Sequence, residues 1–336
     1  MKLERSNNLG LIKFLAAIAV IIHHSFALTC HEQDAWMDVL TRGQLGFGGL
    51  AVAIFFFFSG LLVTKSLMKK PEAKSYFIQR AKRIMPALAI VVVISAFIMG
   101  PIVSTLGAKE YFFSGGTYKY LLNAVFVPVH ELPGVFENNA AMATVNGALW
   151  TLPVEVACYI GVFILYKLKL LTKKVLTVMA VPLYALWVGV LIYNNSFYIS
   201  VYRAGLMFFA GMLVYAYKDD IRLSKLWAVI GFVVLGVLSV VGFLQYAFVI
   251  ILPYILLVLC WNIKQVPEAI GKVGNVSYSI YLCGFPIQQI IVHLVGGIMS
   301  PYDNMLFAVP ISIVFGIVLW AVGERPFAKK NSPKRI

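Results

Sequence analysis

The stretch LIKFLAAIAVIIHHSFAL (residues 11–28) is apolar enough to lie in lipid, yet it carries one lysine and two histidines. A helix needs about 20 apolar residues to cross roughly 30 Å of hydrocarbon, and residues 9–28 supply that length. An ionisable side chain at membrane depth costs about 2.5–3.5 kcal/mol on insertion scales, so it marks a functional site by default. Lys13, His23 and His24 are therefore candidate functional residues if this run is a membrane span.

The composition of the whole chain is that of a membrane protein. Of its 336 residues, 61% are hydrophobic and 12% are charged, whereas a soluble domain carries about 25% charged residues. The run 118–129 is too short to span and is expected to form an interfacial or re-entrant helix. Ten runs are long enough to span: residues 9–28, 46–66, 84–105, 147–166, 175–193, 197–217, 226–244, 246–262, 274–297 and 305–322. The predicted fold is an all-α polytopic membrane protein with about ten transmembrane helices.

Lysine and arginine are distributed unequally between alternate loops. With a cytoplasmic N-terminus, 23 of the 28 basic residues fall inside, three fall outside, and Lys13 and Arg203 lie within spans. This asymmetry follows the positive-inside rule and predicts that both termini are cytoplasmic. The basic residues are expected to face the membrane lipid at the cytoplasmic surface, so the net charge of +14 does not indicate a nucleic-acid partner. We expect a multi-pass protein of the inner (plasma) membrane.

The remaining features of the whole chain point to one membrane domain. The first 30 residues resemble a signal peptide, but no small-x-small cleavage site follows, so they are expected to be the first span. The four cysteines have neither metal-site nor disulfide spacing. We expect no metal site, no internal repeat and no fused soluble domain within residues 1–336.

Lys13 and His24 are eleven residues apart, almost three full turns, so on a helix they share a face at a separation of about 16 Å. His23 is turned about 100° away and need not have the same surroundings. A cation at one end of this face and a base deeper along it suit a long substrate that is charged at one end and reactive at the other. The alternative is that Lys13 only snorkels to the headgroups and the histidines bond to neighbouring helices.

The segment YFIQRAKRIMPAL (residues 76–88) carries a basic pair ahead of a proline. Arg80 and Arg83 are three residues apart and share a helical face, with Lys82 beside them and Pro86 close behind. Two guanidinium groups on one face at the cytoplasmic surface are suited to a phosphate-bearing ligand, because the planar fork binds phosphate through two donors. The alternative is an ordinary positive-inside anchor.

Glu155, in the segment NGALWTLPVEVACY (residues 146–159), falls within a span and needs a partner there. We expect it to orient or deprotonate a histidine, or to pair with Arg203. Trp150 and Tyr159 are typical of packing or interface aromatics. In two other segments, Ser59–Gly60 and Ser277–Tyr278 are typical, by composition alone, of close helix packing.

Together and in this order, these features resemble the integral-membrane acyltransferase family 3, which includes polysaccharide O-acetyltransferases. The resemblance is most specific in the first span, where the family has an arginine, ten intervening residues and a proposed catalytic histidine. Lys13 and His24 hold those positions, and Gly10 replaces the family's aspartate. Further matches are the Ser-Gly step at Ser59 and Gly60, the Arg-x-x-Arg pair with proline at Arg80, Arg83 and Pro86, the Leu-Trp-x-Leu-x-x-Glu element at Leu149, Trp150, Leu152 and Glu155, and the closing Glu-x-Pro element at Glu324 and Pro326. Near the C-terminus the SYSIYL and FP pieces also match, although Gly284 stands where a histidine is often found.

The resemblance implies an acyltransferase. Acyl-CoA, with acetyl-CoA as the expected donor, would dock from the cytoplasm with its phosphates at Arg80, Arg83 and Lys13. Its pantetheine arm would follow the Lys13–His24 face to His24, which acts as a general base or carries the acyl group. Glu155 is the second catalytic candidate. The acceptor is expected to be a glycan or lipid-linked saccharide of the cell envelope, and the predicted substrate-binding residues are Ser59, Trp150 and Arg203.

Two other classes of function use the same residue types. Intramembrane histidine, glutamate and arginine also build proton relays and substrate paths, so a transporter or flippase for a glycan or small solute is the main alternative. Inverted repeats with paired broken helices would favour a transporter, and the sequence has no evident repeat. The other alternative is a non-catalytic assembly or sensor protein. Binding and turnover of acetyl-CoA distinguish the acyltransferase from both.

Overall fold

Ten long helices, α1–α10, form most of the chain in the computed structural model, which describes residues 6–296 and 299–328. Within those ranges Ser104 and Val135 form an isolated antiparallel β-bridge, and no strand is formed. The helices are α1 (Asn7–Leu28), α2 (Phe47–Lys69), α3 (Ala73–Val103), α4 (Gly147–Lys167), α5 (Lys173–Tyr193), α6 (Ser196–Ala216), α7 (Lys225–Val241), α8 (Leu244–Trp261), α9 (Glu268–Val295) and α10 (Pro301–Phe327). In the described part of the chain, nine of them are long and apolar enough to cross a membrane, and α7 is shorter, at 17 residues.

The prediction of an all-α polytopic membrane protein is confirmed, and each predicted run corresponds to one helix. The largest difference is at α3, which begins at Ala73 rather than at residue 84 and therefore includes both arginines of the basic pair. The expected span 226–244 is shorter because α7 ends at Val241 and is followed by Gly242, which has a left-handed φ of 87°. The expected interfacial segment 118–129 forms parts of two short helices, Gly115–Lys119 and Tyr120–Val125. The cytoplasmic location of the termini stays a prediction.

The described chain divides into two compact units. The first unit comprises residues 6–16, 35–73 and 154–274, which hold the start of α1, α2, most of α4, α5–α8 and the start of α9. The second unit comprises residues 17–34, 74–153, 275–296 and 299–328, which hold the rest of α1, nearly all of α3, the start of α4, most of α9 and α10.

In the first unit, the backbones of α2 and α6 approach each other closely at two glycines. A Cβ atom on Gly60 would lie 2.0 Å from the carbonyl oxygen of Phe208, and one on Gly211 would lie 2.2 Å from that of Phe57. Small residues are favoured at such contacts because lipid supplies no hydrophobic force between helices and association depends on close packing. The helices that carry Ser59 and Arg203 are thereby held together.

The start of α1 is fixed within the same unit by the segment between α8 and α9. The Ser6 hydroxyl donates to the carbonyl oxygen of Cys260 at 2.6 Å, and the Asn8 amide donates to two carbonyls near the end of α8. One turn later Gly10 meets α9, where a Cβ atom would lie 2.0 Å from the carbonyl oxygen of Gly271. Position 10 therefore has no room for the aspartate that the family pattern carries there.

Two π-helical turns interrupt helices of the second unit, at Ser95–Met99 in α3 and at Trp320–Glu324 in α10. Such turns disturb the regular backbone hydrogen bonding and occur frequently at functional sites. At the first turn, the hydroxyl of Tyr111 donates to the carbonyl oxygen of Ala96 at 2.7 Å. Burial raises the pKa of Tyr111 to about 12, so this donor stays protonated. The second turn carries Glu324.

Candidate active site

His24 lies in the part of α1 that belongs to the second unit, and two rings contact it. The ring centroid of Phe285 is 4.9 Å away in an edge-to-face arrangement, and that of His23 is 5.4 Å away. The imidazole is partly exposed, and no residue in the described ranges forms a hydrogen bond to its nitrogens. Packing therefore orients the ring, while both nitrogens can reach a substrate.

Phe285 is held in turn by the segment at the start of α4. A Cβ atom on Gly147 would lie 2.7 Å from Cε2 of Phe285, so only a glycine fits beside the undisturbed ring. The side-chain amide of Asn146 donates to the carbonyl oxygen of Leu282 at 2.9 Å and fixes this segment on α9. A continuous line of contact thus runs from Gly147 through Phe285 to His24.

Three fully buried polar side chains next to His24 join α1, α9 and α10. Gln288 donates to the hydroxyl oxygen of Ser25 and to the carbonyl oxygen of Ile21, both at 2.8 Å. The hydroxyl of Ser25 is 3.0 Å from Oδ1 of Asn304. Sequence analysis missed this network, although a glutamine and an asparagine inside apolar spans are the signal that identifies it. Its hydrogen bonds fix the turn of α1 on which His24 lies.

Arg80 and Arg83 lie in the first half of α3, ahead of Pro86. Arg83 is exposed, and Arg80 is partly exposed with its guanidinium carbon 5.8 Å from the ring centroid of Tyr76. The helix extends through both residues, so they share a face as the spacing predicts. Arg83 is therefore accessible to a ligand, and Arg80 is accessible in part, since its Nε atom is buried.

Two segments that are distant in the sequence meet near these arginines within the second unit. The hydroxyl of Tyr278 donates to the carbonyl oxygen of Ile84 at 3.1 Å. The hydroxyl of Ser279 donates to Glu324 at 2.5 Å, and Arg83 is close enough for its charge to act on the same carboxylate. The SYSIYL and Glu-x-Pro pieces therefore converge on the helix of the basic pair, which sequence analysis did not predict for them.

Glu155 lies in the first unit and is bonded to two hydroxyl groups. Its Oε1 accepts hydrogen bonds from Tyr159 and, at 3.1 Å, from Ser59. Its Oε2 accepts no hydrogen bond from the described residues, and the side chain is partly exposed. The ion pair expected with Arg203 is absent among these residues, and the described partners of the carboxylate are the two hydroxyl groups. One carboxylate oxygen can therefore accept a hydrogen bond from a substrate.

The other predicted site residues occupy different settings. Lys13 is partly exposed in the first-unit part of α1, and Trp150 is partly exposed at the end of the 3-10 turn Gly147–Trp150 in the second unit. Arg203 is 8% exposed in α6 of the first unit. Across the described ranges, no group of three or more histidine, cysteine, aspartate or glutamate residues has the arrangement of a metal site.

The sequence is similar to known acyltransferases over nearly its full length. The profile of the acyltransferase domain of family 3 matches residues 6–323. An O-acetyl transferase of Shigella phage Sf6 is 25% identical over 348 aligned positions, which cover 99% of each chain. Nodulation protein 10 of Rhizobium leguminosarum bv. viciae is 29% identical over 157 positions, 46% of this chain and 42% of that protein. No solved structure matches the chain.

Proposed function

Because the chain belongs to the integral-membrane acyltransferase family 3, we propose that it transfers an acetyl group from cytoplasmic acetyl-CoA to a hydroxyl of an envelope glycan or lipid-linked saccharide. The similarity to an O-acetyl transferase supports acetyl as the group that moves. The observation that carries the proposal is His24, an imidazole inside a membrane helix that is oriented by Phe285 and has both nitrogens without hydrogen bonds from the described residues. We place the reaction at the inner (plasma) membrane.

Two routes are open to His24. As a general base, it takes the proton of the acceptor hydroxyl, the hydroxyl oxygen attacks the thioester carbon, and CoA leaves as a thiol with the proton from the imidazolium. As an acyl carrier, a ring nitrogen attacks the thioester carbon first, and CoA leaves as a thiol with the proton of the other ring nitrogen. The acceptor hydroxyl then takes the acetyl group and returns its proton to the imidazole. Both routes yield an ester and free CoA. Brief incubation with radiolabelled acetyl-CoA in the absence of acceptor distinguishes them, because only the second route labels the protein.

Arg80 and Arg83 are the proposed donor site, together with Lys13 of α1 as the sequence suggests. Their shared face and exposure suit the CoA phosphates, and a hydrogen bond to a charged group contributes about 1.5–3 kcal/mol. Arg80→Ala and Arg83→Ala should each raise the KM for acetyl-CoA by about tenfold or more, with a smaller effect on kcat. Lys82→Ala is the matched control, because it removes one charge from a different face. An equal rise in KM for all three variants would mean that the basic residues act only through the overall surface charge, and would contradict a donor site at Arg80 and Arg83.

Glu155 is proposed to hold a hydroxyl group of the acceptor. Ser59 and Tyr159 fix one carboxylate oxygen, and the other is available to accept a hydrogen bond from the acceptor. The partly exposed aromatic ring of Trp150 is proposed to contact the saccharide, as the sequence predicts.

The experiment that tests the proposed function compares envelope glycans with and without the gene. Deletion should remove one acetyl group per modified unit from a glycan, as measured by mass spectrometry. Reintroduction of the wild-type gene should restore it, and reintroduction of His24→Ala should not. An unchanged glycan profile after deletion, or full restoration by His24→Ala, would contradict the proposal.

A further inference from the structure

Arg203 is a buried cation that forms no ion pair with the described residues. It is the eighth residue of α6, its side chain is 8% exposed, and no described residue forms a hydrogen bond or an ion pair with it. A guanidinium has five N–H donors and stays charged in proteins. Charged groups within membrane spans pair with one another or with backbone carbonyls, or line a substrate path. Because no described residue serves as such a partner, the donors of Arg203 are available to a ligand.

The first turn of α2 provides space for this guanidinium. A Cβ atom on Gly49 would lie 2.5 Å from Nη2 of Arg203 and 3.0 Å from its Cζ, so any side chain there would displace the guanidinium. No side chain caps the start of α2, where unpaired backbone N–H groups favour negative charge. The carboxylate of Asp38 lies near Gly46 at this helix start, but it forms no ion pair with Arg203. Asp38 therefore supplies no hydrogen-bond acceptor to the guanidinium.

We propose that Arg203, beside Gly49, binds an oxyanion of the acceptor, either a phosphate or a carboxylate. This inference rests on the proposed acetyl transfer for the identity of the ligand as the acceptor. Both groups present two oxygens that match the planar donor fork of arginine. The positive-inside asymmetry predicts that α2 and α6 begin on the outer side of the membrane, opposite the side from which acetyl-CoA arrives. The anion at Arg203 therefore belongs to an acidic glycan or a lipid-linked saccharide phosphate, and the acceptor is negatively charged.

Direct binding tests the site without any donor. The full chain is purified in a maltoside detergent, which contains no phosphate, and titrated with two pairs of probes. The first pair is a short polyprenyl phosphate and its neutral alcohol, and the second is glucuronate and glucose. At least one anion should bind about 10- to 100-fold more tightly than its neutral partner, since hydrogen bonds to charged groups contribute about 1.5–3 kcal/mol. The preferred pair identifies whether the anion comes from the lipid carrier or from the sugar.

Two variants and one control establish that the preference depends on this site. Arg203→Gln should abolish the preference and leave the thermal stability of the unliganded protein unchanged or higher, because it removes an unpaired buried charge. Gly49→Ala should weaken anion binding while the charge is kept. Gly205→Ala on α6 is the control, because a Cβ atom there meets nothing within 4 Å, and it should bind as the wild type does.

The possible failures are distinguishable. Equal binding of anions and neutral partners, or an unchanged preference in Arg203→Gln, would overturn the site. Displacement of the preferred anion by phosphatidylglycerol at equal affinity would assign the site to bulk lipid and would also overturn the inference. If the wild type fails to consume acetyl-CoA, the proposed function fails, but the anion preference remains measurable in the same preparation.

Discussion

Gly147→Ala should disable the enzyme through His24, because the added Cβ atom meets Phe285, the ring that packs against the histidine. The added Cβ atom would lie 2.7 Å from Cε2 of Phe285, so the ring must move by about 0.7 Å to reach the 3.4 Å of an ordinary contact. That ring is the edge-to-face neighbour of His24 at 4.9 Å. Since a misplacement of about 1 Å can lower a rate about 100-fold, we expect kcat to fall by about 10- to 100-fold with little change in the KM for acetyl-CoA.

The assay is CoA release by the purified protein, with thermal unfolding measured in parallel. Gly161→Ala on α4 is the matched control, because a Cβ atom there meets nothing within 4 Å. Phe285→Leu removes the ring that collides, so adding Gly147→Ala to that background should cost less than it does in the wild type. Full activity of Gly147→Ala, or the same loss in both backgrounds, would refute the contact line from Gly147 to His24.

Three other predictions concern topology, the carboxylate and helix packing. A reporter that is active only in the cytoplasm should give signal when fused at Lys70 and none when fused at Gly115; signal at Gly115 would overturn the predicted topology. Glu155→Gln should lower the rate of acetyl transfer by about 10- to 100-fold at unchanged membrane insertion, because a hydrogen bond to a charged group contributes about 1.5–3 kcal/mol, whereas full activity would remove Glu155 from the site. Gly60→Val should destabilise the protein by about 1–3 kcal/mol in thermal or denaturant unfolding. Gly189→Val should have little effect, because a Cβ atom there meets nothing within 4 Å. Equal effects of the two changes would contradict the close contact of α2 and α6.

The helices were predictable because a membrane span must satisfy its own backbone hydrogen bonds over about 20 apolar residues. Each apolar run therefore became one helix. The start of α3 was not predictable from hydropathy, since Ala73–Arg83 is polar and resembles a loop, yet it continues the helix. The end of α7 before Gly242 depends on the left-handed backbone conformation of that glycine. The mean hydropathy of a window of residues does not detect such a conformation.

Relations within one helix were also predictable, because spacing alone decides them. The helical period predicts that Lys13 and His24 share a face, and it predicts the same of Arg80 and Arg83. Contacts between helices were not predictable, because no period encodes which side chains meet. The edge contact of Phe285 with His24 is of this kind. Only the structure explains why position 10 holds a glycine and not the family's aspartate: the backbone of α9 leaves no room for a side chain there.

The most direct test of the account is the rate of CoA release from acetyl-CoA by His24→Ala and by His23→Ala, each purified and checked for normal membrane insertion. The two histidines are adjacent, with ring centroids 5.4 Å apart, so each variant is the control for the other. The account predicts that His24→Ala lowers the rate by about 10²–10⁴-fold, as expected for loss of a positioned base. It predicts that His23→Ala keeps substantial activity. An inactive His23→Ala beside an active His24→Ala would contradict the account.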